Sequence, residues 1–166
     1  MTAPSMRPYL PKDAAGLADL TEVSIDDLAA EDYSADQRAA WAVFVGDELA
    51  FANRLAAQLT LVVEGEDGLV GYASLKDNRL IDLLYVHPDH ARRGVASLLC
   101  EALEKLATAR GTAVISADAS DNAQPFFEQR GYRARQRNTV MRNGEWLANT
   151  TMEKKLAVLA GAGTSP

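Results

Sequence analysis

An apolar run from Leu80 to Val86 stops at His87-Pro88, and a short basic loop, Arg92-Arg93-Gly94-Val95-Ala96, then opens directly into a helical pattern. A strand followed by a full helix cannot return as a tight hairpin. The next strand is carried to a parallel position, so the sheet must contain at least one parallel pair. The helix start is informative in its own right. Its first amides lack intrahelical partners and the macrodipole adds partial positive charge, so the junction forms an anion site. Two arginines beside it, with small Gly94 and Ala96 admitting a ligand to the backbone, point to bound phosphate.

The remaining elements follow from pattern. Residues 7–10 read as a short first strand. A helix starts at Pro11-Lys12-Asp13, with Asp13 as cap and Leu17, Leu20, Val23 and Leu28 at helical spacing. A second helix begins near Ser34, where Gln37 completes a capping-box pattern, and carries Trp41, Val43 and Phe44. A third covers residues 47–58. The period then changes to two. Strands over 59–64 and 69–75 flank the turn Gly65-Glu66-Asp67-Gly68, and Lys76-Asp77-Asn78 turns into the strand 80–86. The helix after the basic loop covers 93–110 and ends at Gly111. A short strand, 113–117, and a helix, 122–130, precede a hairpin of 132–140 with 145–154 about Asn143-Gly144. Residues 157–166 are small and polar and read as a disordered tail.

Bulk properties narrow the function. With 166 residues, no repeat and no linker, the chain reads as one domain over residues 5–156. A net charge of −6 argues against a nucleic-acid partner, because phosphate repulsion meets no compensating basic surface. One cysteine, Cys100, excludes an intrachain disulfide and a cysteine metal cluster, and its place on an apolar helix stripe makes it a buried thiol. His87 and His90 lack the carboxylate or thiol company of a metal site and read as turn-shaping residues. No basic-then-apolar leader pattern and no membrane-length apolar run is present, so the expected location is the cytoplasm, with no membrane partner.

The loop Ala91-Arg92-Arg93-Gly94-Val95-Ala96 resembles the Gln/Arg-x-x-Gly-x-Gly/Ala motif of the GCN5-related N-acetyltransferase superfamily, except that Ala91 stands where Gln or Arg is usual. A second stretch, Ala123-Gln124-Pro125-Phe126-Phe127-Glu128-Gln129-Arg130-Gly131-Tyr132, resembles the family's Ala-x-x-Phe-Tyr-Glu-x-x-Gly-Phe pattern, with Phe127 at the usual tyrosine. The order β-α-α-β-β-β-α-β-α-β-β is also the family's. The resemblance implies an α/β (α+β) fold: one mixed, mostly antiparallel sheet of about seven strands, splayed at strands 4 and 5, with helices on both faces. It implies acetyl-CoA as co-substrate, no metal, and transfer of the acetyl group to a primary amine of a small molecule, peptide N-terminus or lysine by direct attack. Family hairpins in the terminal position often join subunits, so the resemblance also admits a homodimer.

By the same resemblance, backbone groups of Leu84, Tyr85 and Val86 meet the acetyl and pantetheine end. Arg92, Arg93, Gly94, Val95, Ala96 and Ser97 meet the pyrophosphate, and Asn122 and Phe127 the cofactor arm. Val86 is the expected oxyanion donor. Asp82, a carboxylate interrupting an apolar strand, reads as a general base with its pKa raised by desolvation; the alternative is a wet strand end or an arginine pair. Phe127 cannot protonate a thiolate, which leaves water, Tyr132 or Tyr85 for that step. Tyr33, Trp41 and Trp146 are the expected acceptor wall; the nearby acidic residues Glu22, Asp26, Asp27, Glu31, Asp32 and Asp36 read first as a solvated helix face, and otherwise as an attraction for an amine. Two rival readings are a non-catalytic acyl-CoA-binding module and a toxin-like acetylation of aminoacyl-tRNA, against which the acidic charge speaks.

Overall fold

The structure, a computed structural model, describes residues 3–157. Its seven strands are β1 (Ser5–Pro8), β2 (Leu59–Gly65), β3 (Gly68–Lys76), β4 (Leu80–Val86), β5 (Val114–Ser120), β6 (Arg133–Arg142) and β7 (Glu145–Lys155). They form one sheet in the order β1-β2-β3-β4-β5-β7-β6, antiparallel throughout except for β4 with β5. The helices are α1 (Ala14–Leu28), α2 (Ala35–Ala42), α3 (Glu48–Ala57), α4 (Val95–Ala109) and α5 (Gln124–Gln129). The parallel pair follows from α4, whose length carries the chain back across the sheet.

Helices cover both faces. On one face Leu99, Cys100 and Leu103 of α4 and Phe127 of α5 pack on Val63, Ala73, Ile81, Ile115, Ala117, Ala119 and Met152. On the other, Leu17 and Leu20 of α1 and Phe51 and Leu55 of α3 pack on Val62, Tyr72 and Leu83. Burial pushes the Cys100 thiol up to about 12, consistent with a structural thiol. The capping box at Ser34 forms as its sequence implies: Ser34 Oγ accepts from the Gln37 amide and Gln37 Oε1 from the Ser34 amide. Gln37 Nε2 also donates to the Trp146 carbonyl at 2.9 Å, tying α2 to the terminal hairpin.

Local departures from expectation have physical causes. The first strand is Ser5–Pro8 rather than residues 7–10. Pro11–Asp13 is a 3₁₀ turn, and Asp13 serves it by accepting the Leu10 amide and pairing with Arg7. Strand β5 continues three residues beyond 117, because Ala119 is still buried and every residue to Ser120 pairs with β7. The tail assignment for residues 158–166 lies outside the described residues. No helix among the described residues is long and apolar enough to cross a membrane.

A buried ionic knot locks α4 to the C-terminal elements. Glu104 Oε1 accepts from Arg130 at 2.8 Å and Lys154 at 3.0 Å, and Oε2 accepts from the Tyr132 hydroxyl at 2.8 Å. Burial alone would raise the Glu104 carboxyl, but these three donors hold it below its ordinary 4.5. Glu104→Ala, which strands two cations, should therefore cost about 3 kcal/mol, or roughly 6–12 °C in melting temperature. A depressed carboxyl stabilises fully above its unfolded pKa and loses that contribution as pH falls through the folded one. Thermal melts should accordingly show the gap between wild type and variant narrowing below about pH 4.5.

Candidate active site

Strands β4 and β5 pair at only two positions, Leu80 with Ser116 and Ile81 with Ala117, and then part. The residues facing the gap follow from the neighbouring ladders. His87 donates to Val70, and narrow and wide pairs alternate along β3–β4, so Tyr85 and Leu83 use their backbones on β3. Leu84 and Val86 therefore turn their N–H and C=O groups into the gap. Across it, Leu156 donates to Ala113 in the β5–β7 ladder, which by the same alternation turns Asp118 and Ser120 inward. The Ser116 amide donates to Arg79 across this edge, and the Ile81–Ala117 pair brings the Asp118 amide onto the Ile81 carbonyl, where the pairing stops. The gap is thus walled by unpaired backbone groups, which an amide-bearing ligand can satisfy.

The sheet also bends here. Between Ser74 and Leu75 the β3–β4 register slips, leaving Asp82 without a partner residue on β3. The bulge puts Asp82 and Leu83 on the α3 face together, with Ile81 and Leu84 on the α4 face.

At the wide end of the gap, α4 begins without a side-chain cap and without an acid in its first turn. Its first intrahelical bond runs from Leu98 to the Gly94 carbonyl, so the Val95, Ala96 and Ser97 amides are free for an anion. Gly94 has φ 84° and Arg92 φ 61°, which cups the loop around that spot. A Cβ on Gly71 would meet Val95 Cγ1 at 2.8 Å, so glycine there lets the helix start sit directly on β3. Gap and helix start open into one cleft of about 1240 Å³. Among its walls, Asn122 Oδ1 and His90 Nδ1 are buried without hydrogen-bond partners.

A family model for the acetyltransferase (GNAT) domain matches residues 29–156. The chain belongs to the GCN5-related N-acetyltransferases. It is 33% identical over 150 residues to the uncharacterised N-acetyltransferase YafP of Escherichia coli, covering 90% of this chain and 95% of that one. A GCN5-related N-acetyltransferase of Rhodopseudomonas palustris shares 56% identity with a TM-score of 0.91, covering 94% of this chain and 98% of that one. The PaiA N-acetyltransferase of Thermoplasma acidophilum, solved with coenzyme A, shares the fold at 16% identity and a TM-score of 0.76, over 93% of this chain and 99% of that one.

The residues expected at the cofactor line this acetyltransferase's cleft with one exception. Leu84, Tyr85, Val86, Arg92, Gly94, Val95, Ala96, Ser97, Asn122 and Phe127 are there, and Arg93 instead points to solvent. Tyr85 contributes its ring rather than its backbone, because its amide and carbonyl belong to the β3 ladder. Since the phosphate loop lies beyond Val86, a ligand arm reaching the vertex at Ile81 and Ala117 brings its far end closer to Leu84 than to Val86. Ala91 leaves the backbone cradle unchanged.

Two expectations are corrected. Tyr132 is buried on the α4 face, its ring edge to face with Phe127 at 5.0 Å and its hydroxyl committed to Glu104, and does not line the cleft. Trp146 is 59% exposed on the outer side of the hairpin beside Met141, while its neighbour Leu147 turns inward against Tyr33. The acidic residues of α1, α2 and their connection are exposed helix and turn faces and not cleft walls, in keeping with the solvated reading of that pattern. Tyr33 and Trp41 do line the cleft, packed edge to face at 5.3 Å. Tyr33 is also a strut: its hydroxyl donates to the Ala148 carbonyl and accepts from the Asp121 amide.

Asp82 lines the cleft in the paired form. Desolvation pushes its carboxyl up, but hydrogen bonds to Oδ2 from Arg54 and Gln58, both 2.8 Å, outweigh that and hold it below 3.8. The expected upward shift is reversed, because α3 delivers a guanidinium to the strand bulge. Tyr85 accepts from Trp41 Nε1 at 3.0 Å, and burial pushes its phenol up to about 12. Arg54→Met removes the balancing cation and leaves the desolvation, so the Asp82 carboxyl should titrate above 3.8; a ¹³C carboxyl titration checks this.

Proposed function

We propose that this protein transfers the acetyl group of acetyl-CoA to a primary amine by direct attack in a ternary complex. The observation supporting it most is the β4–β5 gap that ends at an uncapped helix start, with its backbone groups turned inward. Pantetheine amides satisfy the gap's backbone groups, and the pyrophosphate suits the α4 amides with Arg92 at hand. Asn122 Oδ1, buried without a partner, is a further acceptor for that arm. The bound cofactor supplies an activated thioester. Positioning two reactants in such a cleft lowers the barrier by on the order of 7–11 kcal/mol in favourable cases. The Leu84 amide, nearest the vertex of the two inward pairs, is the oxyanion donor, and Val86 meets the arm. Trp41, Phe44 and Tyr85 form an apolar wall for the acceptor, and the setting is the cytoplasm.

The thiolate leaves with a proton from water, because Phe127 has none to give, the Tyr132 hydroxyl is committed to Glu104 and that of Tyr85 is held by Trp41. Phe127 and Ala91 together also support a second reading, an acyl-CoA-binding module without turnover. A thermal melt with saturating acetyl-CoA, with ATP as control, separates the possibilities. At about 100 times the dissociation constant, binding adds roughly 2.7 kcal/mol, or on the order of 5–10 °C. A rise with acetyl-CoA alone, followed by amine-dependent thiol release, is the expected outcome. A rise without thiol release from any amine supports the binding module, and no rise overturns both readings.

A further inference from the structure

A carboxylate that the sequence pattern hides stands where the two parallel strands part. Ile81 and Ala117 are the last paired residues, and their successors are Asp82 on β4 and Asp118 on β5. Along β5 the residues Ile115, Ala117 and Ala119 pack beneath α4, so Asp118 projects from the opposite face, the one on which Asp82 meets α3. Both line the cleft, but their situations differ. Asp82 Oδ2 is taken by Arg54 and Gln58, and its charge is neutralised. Asp118 makes no ion pair among the described residues; its Oδ1 accepts only from Thr151 Oγ1, at 2.7 Å, and the residue is exposed. Beyond it, over β7 between β5 and β6, lies a polar groove of about 460 Å³ lined by Arg137, Asn138, Arg142, Asn149 and Thr151 and continuous with the cleft through Asp118, Arg142 and Asn149.

We propose that Asp118 is the catalytic carboxylate of the acceptor side: it binds the substrate amine and takes its proton, while Asp82 serves only to hold α3 on the strand bulge. The inference rests on the acetyltransferase reading. The neutral amine forms an N–C bond to the thioester carbonyl and its N–H becomes strongly acidic. That proton passes to Asp118 as the C–S bond breaks and the thiolate departs. Asp118 then returns the proton to the thiolate through water, which restores the carboxylate and yields the amide and coenzyme A. An amine approaching along the polar groove keeps its remaining hydrogen-bonding groups against the amide and hydroxyl side chains there. The acceptor class is therefore a polar primary amine.

The test uses the full chain and thiol release, with spermidine, lysine, phenethylamine and a tripeptide amide as acceptors. Asp118→Asn keeps an oxygen for Thr151 and removes the charge. It should lower kcat/KM for the best acceptor by about 100-fold or more, with the acetyl-CoA melting shift unchanged. Asp118→Glu restores a carboxylate at the position and should recover at least about ten-fold over Asp118→Asn. The proposal is overturned by an Asp118→Asn variant within about three-fold of wild type, or by an Asp118→Glu variant as slow as Asp118→Asn. It is also overturned by a wild type that shifts with acetyl-CoA and acetylates none of these amines, whereas absence of the shift removes the acetyltransferase reading itself.

Discussion

The structure depends on a single failure of strand pairing. Strands β4 and β5 begin as an ordinary parallel pair and separate after Ile81 and Ala117, so a seven-stranded sheet is opened in its middle. Exposed backbone groups inside a sheet are costly unless something else meets them. Each flanking ladder, β3 with β4 and β7 with β5, stays intact to the end of its strand, so the opening is held from outside. The bulge at Asp82 bends β4 at the vertex, and α4 places its free amides at the wide end. An elongated ligand with amides along its arm and phosphates at one end completes this arrangement.

Two ionic assemblies hold the sides of the opening without entering its chemistry. On the α4 face, Glu104 gathers Arg130, Lys154 and Tyr132, which fixes the end of α5 and with it the placement of Phe127 and Asn122. On the other face, Arg54 and Gln58 of α3 clamp Asp82. Buried pairs of this kind add less stability than their number suggests, because desolvation offsets attraction. Their effect here is positional: the first ties α4 to the end of α5 and to β7, the second ties α3 to β4 at the vertex of the gap. Tyr33 acts similarly with uncharged bonds, spanning the turn after β5 and strand β7.

Much of the fold was legible in the sequence because its signals are local. The run Leu80 to Val86, the loop at Gly94, the Ser34–Gln37 box and the Asn143-Gly144 turn each act over a few residues, and each formed. The site was legible where backbone does the work, at the α4 start, and less so where side chains choose partners. Arg54 lies 28 residues before Asp82, so no window of sequence reveals that pair. Tyr132 follows α5 closely, but its hydroxyl turns to Glu104 on another helix. Asp118 was missed for a different reason. Ending the strand at residue 117 hid the alternation of Ser116, Asp118 and Ser120 with Ile115, Ala117 and Ala119, a period-two signal that runs to the end of β5. Trp146 was misplaced because a hairpin strand shows alternate residues to opposite sides, and Leu147 took the inward side.

The central claim is that the unpaired edges of β4 and β5 are the cofactor's berth. Residue-resolved amide hydrogen exchange, with and without saturating acetyl-CoA, tests it directly. The Leu84, Val86 and Ser120 amides should exchange fast in the free protein, while those of Leu83 and Tyr85 are protected by β3. Acetyl-CoA should then slow exchange at Leu84 and Val86 and at the Val95, Ala96 and Ser97 amides of α4. Inward amides already protected in the free protein, or left unchanged while acetyl-CoA is bound, would contradict it.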